Sequence, residues 1–344
     1  MHLKKRIVYC IRITTIFNQH FNKQLMENFL SETKKHTLDF HGKGGDFFGI
    51  IIVNWLLTTL TLGLYYPWAK AKQLQFLYGE TSLNNDRFAF HGTGKEMFKG
   101  FLKVIGLFLI LAAVMGIFTF LKMPLVGLLL FYLGIFAIMP LAIHGSYRYR
   151  MSRTSWRGIR FGYRGDRKEL TTNFFTWVGL SIITFGIYGS WMAINLRKYL
   201  LGNVRFGDAK FNYEGDGGDY FLLNLKGYLL SIFTLGIYMF WWQKDIFEYY
   251  VNNLSLHKDD TKITLRSTVT GGGFFKLAFV NVFIIIFTLG LGYAWVVART
   301  MKFIFTNINL EGNLDLDAIQ QTEENFTDAT GDDISDVLDM DFVM

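Results

Sequence analysis

The sequence predicts an integral membrane fold, mainly α-helical, built of tandem helical-hairpin units separated by short β-hairpins. Three observations carry that expectation. The 344-residue chain is 51% hydrophobic and 17% aromatic, so a soluble domain of this composition would expose large apolar patches. A phrase of Thr-x-Gly, an aromatic and a tryptophan recurs: Thr61-Leu62-Gly63 with Tyr65 and Trp68, Thr184-Phe185-Gly186 with Tyr188 and Trp191, Thr234-Leu235-Gly236 with Tyr238 and Trp241, and more loosely Thr288-Leu289-Gly290 with Tyr293 and Trp295. A second phrase, aromatic-x-aromatic-x-Gly or a weaker relative, closes at Gly42, Gly92, Gly165, Gly215 and Gly271, at spacings of 50, 73, 50 and 56.

A period near 50 indicates tandem units. Residues 1–36 read as an N-terminal extension, disordered or following a misassigned start, with Met26 as the competing first residue. Residues 37–316 read as a repeat-built polytopic membrane domain, in units of about 37–92, 93–165, 166–215, 216–271 and 272–316. Residues 317–344 read as a disordered acidic tail. Within a unit, a Gly-rich turn opens an apolar helix, Thr-x-Gly reverses the chain, a Trp-bearing helix follows, and alternating residues form a β-hairpin. The second unit lacks Thr-x-Gly. It carries apolar runs over 101–121 and 124–143, close to the roughly 20 residues that a crossing helix needs. A last hairpin is expected from 307–310 and 313–316 around Glu311-Gly312.

Charge bears on sidedness. The net charge is +7, but from Glu311 onward there are eleven acidic residues and no basic ones, so the preceding part carries 35 basic against 17 acidic residues. Such basic loops mark a cytoplasmic face and attract anionic lipid. They flank apolar helices, so no nucleic-acid partner is expected. Six single crossings would put the loops 146–172 and 192–219 on opposite faces, against the lysine and arginine bias. Helical hairpins that enter and leave on one side keep the basic loops together, at the cost of charges in their second arms.

Those charges, Lys70, Arg197, Lys244 and Arg299, together with Asn54 and Asn281, are the candidates for contact with a solute or lipid. Snorkelling is the simpler reading for the cations, and hydrogen bonds across helices for the asparagines. The recurrent Tyr and Trp read as interfacial anchors, with a recognition cage as the competing reading. The Thr hydroxyl reads as a turn-setter. Asp46 and Asp219 read as caps or helix-dipole partners. The single cysteine, Cys10, and seven histidines without ligand spacing suggest no metal site. No catalytic residues, cofactor or enzymatic activity are expected.

The segments Gly44-Gly45-Asp46-Phe47-Phe48, Thr61-Leu62-Gly63-Leu64-Tyr65 with Pro67-Trp68, and Arg153-Thr154-Ser155-Trp156-Arg157-Gly158-Ile159-Arg160-Phe161 resemble the YjgN-like family of bacterial inner-membrane proteins. The resemblance covers about residues 36–316. It implies a multi-pass inner-membrane protein, in a family of unknown function with no catalytic residues to carry over. The expected function is binding or passing a small solute or lipid. The alternative is a non-transporting scaffold that recruits a protein partner through its cytoplasmic β-hairpins or acidic tail. Membrane lipids are the expected partners in either case.

Overall fold

The computed structural model describes residues 34–322. The extension before Lys34, Cys10, the choice between Met1 and Met26, and the tail from Glu323 lie outside the described residues. Strand β1 (Lys34–Phe40) leads to helices α1 (Gly44–Leu60) and α2 (Tyr66–Gly79), then β2 (Thr81–Leu83) and β3 (Asp86–Phe90). The long pair α3 (Gly94–Phe120) and α4 (Pro124–Ser152) precedes β4 (Thr154–Trp156) and β5 (Ile159–Tyr163). Helices α5 (Arg167–Ile183) and α6 (Gly189–Gly202) precede β6 (Val204–Phe206) and β7 (Ala209–Tyr213). Helices α7 (Gly217–Phe233) and α8 (Met239–Asn252) precede β8 (Leu254–Lys258) and β9 (Thr261–Ser267). Helices α9 (Gly271–Phe287) and α10 (Tyr293–Thr306) precede β10 (Ile308–Gly312).

The expectation of a mainly α-helical integral membrane fold with separate β-hairpins is overturned. The ten strands close into one antiparallel barrel in chain order, and β10 returns to β1 through Thr37 opposite Asn309 and His36 opposite Leu310. The physical reason is edge satisfaction. An isolated two-stranded hairpin keeps two unpaired edges and almost no core, whereas a closed ring leaves no edge. Side chains from seven strands, among them Trp156, Phe206, Leu256, Ile263 and Leu310, pack together and fill the barrel. Among the described residues only α3 and α4 are long and apolar enough to cross a membrane.

Antiparallel order also fixes sidedness. All five helical pairs leave one rim, and the tight turns at Asn84-Asn85, Arg157-Gly158, Gly207-Asp208 and Asp259-Asp260 lie at the other. Phe161 pairs with Phe206, so the loops 146–172 and 192–219 are neighbours. That pairing excludes the alternating arrangement.

The expected last hairpin does not form. After Gly312 the chain crosses the turn rim as a strap, burying Leu314, Leu316 and Ile319 in the barrel core. Asp208 holds its end. The Gln320 N–H donates to the Asp208 carboxylate (3.2 Å), the Asp208 N–H donates to the Gln320 carbonyl (3.0 Å), and the Lys258 ammonium lies 2.7 Å from the same carboxylate. Burial pushes the Asp208 carboxyl up, but the Lys258 ammonium and the Gln320 N–H outweigh it and hold the carboxyl below its ordinary 3.8. A lowered folded pKa contributes stability above the unfolded value, lost as pH falls through the folded one. The strap clasp is therefore expected to be intact above pH 3.8 and to loosen on acidification below it. In thermal unfolding scans, the advantage of the wild type over Asp208→Asn should shrink over that acid range. An advantage independent of pH would mean that the carboxylate charge does not hold the strap.

Candidate ligand groove between two helical hairpins

The four Thr-x-Gly turns share one geometry. Thr61 Oγ1 donates to the Leu57 carbonyl (2.7 Å) and accepts from the Tyr65 N–H (3.0 Å). Thr184 and Thr234 repeat both bonds with Leu180 and Tyr188, and with Leu230 and Tyr238. Thr288 does so with Ile284 and the Gly292 N–H. Gly63, Gly186, Gly236 and Gly290 stand at φ between 87° and 92°, where glycine carries no Cβ penalty. The residue before each glycine also has positive φ, near 50°, and is Leu62, Phe185, Leu235 or Leu289. These four side chains are 93–96% exposed. Between Thr61 and Tyr66 every N–H finds an acceptor within its own turn. The N–H groups of such a turn need no water, as backbone donors placed in hydrocarbon require.

The tryptophans seal the ring of helices. A Cβ on Gly94 would lie 2.4 Å from Trp68, on Gly217 2.3 Å from Trp191, on Gly271 2.3 Å from Trp241, and on Gly44 2.4 Å from Trp295. Each tryptophan thus lies directly against the first residue of the next hairpin, and the Trp295–Gly44 contact closes the circle. The Gly-rich turns and the tryptophans together form one packing device. Tyr65, Tyr188 and Tyr238 stack beside their own tryptophans at 6.0–6.4 Å. The Asp216 side chain caps α7, with Asp219 in its first turn, and α1 has Asp46 in its first turn without a side-chain cap.

The six candidate contact residues do not converge on one site. Asn54 is buried and donates to the Ala69 carbonyl (3.2 Å), and Asn281 donates to Thr300 Oγ1 (3.0 Å), so both tie the two arms of a hairpin together. The Arg197 guanidinium lies 3.6 Å above the Tyr250 ring of the next hairpin. Lys244 pairs with Asp245 and Glu248 of its own helix. Lys70 and Arg299 are half-buried. Lys70, Arg197, Lys244 and Arg299 lie two, six, three and four residues beyond their tryptophans, and at 100° per residue no single helical face carries all four.

One seam departs from the rule. Each sealing tryptophan stands thirteen residues before the next strand, and at that place in α4 the residue is Leu141. The next hairpin opens on Arg167, where the other four hairpins have glycine. Between them lies a groove of about 590 Å³ lined by Leu141, His144, Arg148, Arg167, Lys168 and Thr171, with Gly165, Asp166 and Thr172. Leu141, His144 and Arg148 share one face of α4 at helical spacing. The His144 ring Nε2 meets the Gly165 carbonyl at 3.0 Å, and its ring packs edge-on to Tyr163 at 5.3 Å, which fixes the loop into α5. The Asp166 side chain caps α5 through the Glu169 N–H (2.7 Å). Phe136 against Phe174, 5.8 Å apart, packs the same seam further along. The result is a pocket with an apolar wall, cations on both banks and the positive end of a helix dipole. Among the described residues no cluster of His, Cys, Asp and Glu is arranged to hold a metal. Spacing alone does not mark this groove; its signal is the repeat position at which Trp becomes Leu and Gly becomes Arg.

The profile of the family described as "Bacterial protein of unknown function (DUF898)" matches residues 35–216, 209–261 and 242–337. The chain belongs to this family. Among curated relatives, the inner membrane protein YjgN of Salmonella typhimurium is 38% identical over 141 residues. YjgN of Escherichia coli K12 is 35% identical over 137 residues, and that of Escherichia coli O157:H7 34% over 137 residues. The matches cover 40% of this chain and only 33–34% of each relative. No solved structure matches this family member.

Proposed function

We propose that the chain is a multi-pass bacterial inner-membrane protein that holds a lipid or small solute at its ring of helices, with the barrel on the cytoplasmic side. The observation that carries this is the set of hairpin tips. Four large apolar residues, 93–96% exposed, are costly in water. In hydrocarbon the exposure becomes favourable. The names of the relatives support the compartment.

Helix lengths support two depths of insertion. Short arms of 17 and 14 residues reach at most about 25 Å and 21 Å, against about 30 Å of hydrocarbon. The long arms of 27 and 29 residues reach about 40 Å and carry Lys122 at their turn, suited to the far headgroups. The packed barrel favours holding a ligand over passing one along the axis. The scaffold alternative draws on the turn rim, where Lys35, His36, Asn84 and Arg157, with Asp315, Leu316 and Asp317 of the strap, line a cavity of about 340 Å³.

With Cys10→Ser as background, Asn85→Cys and Asp260→Cys at the turn rim are expected to resist an impermeant thiol reagent in intact cells, and Lys122→Cys to react. Labelling of either rim cysteine in intact cells would reverse the orientation. An unreactive Lys122→Cys in intact cells would remove the crossing hairpin.

A further inference from the structure

We infer that the groove between α4 and α5 is a binding site for the phosphate headgroup of an anionic phospholipid, with an acyl chain lying against the unsealed seam. The inference rests on the membrane reading above. It starts from the near-fivefold repetition of the ring. Four seams are closed by an indole on a glycine, so close that even a methyl group on the glycine would collide. The fifth combines a smaller residue, Leu141, with a longer and charged one, Arg167, at the same two positions. Replacing Trp by Leu empties space, and replacing Gly by Arg puts a guanidinium at its edge.

The chemistry of the lining follows from this. Arg148 on α4 and Arg167 and Lys168 on the first turn of α5 face a common volume of about 590 Å³. A guanidinium matches the paired oxygens of a phosphate, and an ammonium adds a point charge. The hydroxyl of Thr171 donates to the Arg167 carbonyl at 2.8 Å. Leu141 gives the groove an apolar wall on a helix whose apolar stretch is long enough to cross a membrane. Cations at one end and an uncharged helix face leading away match a phospholipid better than a free anion. The groove adjoins the barrel rim, next to Gly165, which is headgroup level for hairpins inserted from that side.

The test uses the full chain in a non-ionic detergent, titrated with phosphatidylglycerol or phosphatidylcholine, with retained lipid counted by native mass spectrometry. Phosphatidylglycerol is expected to be retained in preference to phosphatidylcholine. The combination Arg148→Gln, Arg167→Gln and Lys168→Gln should lower its retention at least about tenfold. Arg160→Gln, Lys210→Gln and Lys262→Gln, equal in charge but on the barrel, should leave it within about twofold. A second variant restores the common seam: Leu141→Trp with Arg167→Gly should fold, resist heat at least as well as wild type, and lose the lipid. Equal loss in the barrel variant, or full retention in the sealed-seam variant, would overturn the proposal. So would displacement of the lipid by millimolar inorganic phosphate, which would mark a free-anion site. A chain that keeps its place in carbonate-washed membranes while failing these tests refutes the lipid site alone. A wild-type chain washed out by carbonate refutes the membrane reading as well.

Discussion

Aspartate at Leu62, Phe185, Leu235 and Leu289 together is expected to expel the short hairpins from the bilayer. The two possible surroundings of these tips give opposite signs, which makes the experiment decisive. All four positions have φ near 50°, a conformation that Asp adopts more easily than Leu or Phe. Tips standing in water would therefore be stabilised, since strain is relieved and apolar exposure removed. Tips standing in hydrocarbon would each meet a penalty of about 2.5–3.5 kcal/mol for a buried charge. Hydrogen exchange of the reconstituted protein reads the difference. Amides of 58–66, 181–189, 231–239 and 285–293 should become fast, while the long pair α3 and α4 keeps the chain in the membrane. Unchanged or slower exchange at the tips would place them outside the hydrocarbon.

The second large effect belongs to the barrel. Trp156 is 1% exposed and joins the local and non-local parts of the core. Its indole N–H donates to the Asp86 carbonyl across β3 (3.0 Å), its ring lies 5.8 Å from Phe206 and 6.3 Å from Phe88, and the Arg157 guanidinium covers it at 4.5 Å. Trp156→Ala removes that volume and the hydrogen bond to the half-buried Asp86 carbonyl, a loss of about 3–5 kcal/mol. At about 2 °C per kcal/mol, the thermal midpoint should fall by roughly 6–10 °C. A fall of less than about 2 °C would mean that the barrel collapses around the gap or draws its stability from elsewhere.

Local features of this fold were legible in the sequence, and closure was not. Thr-x-Gly encodes its own turn, because the bonds of Thr61 reach only four residues either way. The hairpin turns at Asn84-Asn85 and Gly207-Asp208 are similarly local. Closure depends on β1 meeting β10, more than 270 residues later, and short strands of three and five residues carry too little pattern to state a partner. The strap shows the same limit: 313–316 alternates like a strand, but the rim offers Leu314 and Leu316 a core to fill and so bends the chain over it.

The candidate site was hidden for a different reason. Attention to repeated residues picks out Trp68, Trp191 and Trp241, and charges among apolar residues pick out Lys70, Arg197, Lys244 and Arg299. Each tryptophan meets a glycine of the following unit, a partner that spacing does not name. Arg148, Arg167 and Lys168 look like ordinary loop charges until the ring shows that Arg167 occupies a glycine's place.

The unequal lengths of the hairpins have a mechanical consequence. Among the described residues, eight short helices and two long ones rise from one rim. In the proposed placement all ten displace lipid from the near leaflet, but only the long pair runs the full depth of the far one. The near leaflet must then accommodate more protein cross-section, and the bilayer relieves that area mismatch by bending away from the barrel. A protein of this shape would favour convex patches of its own face, and would gather where such curvature already exists.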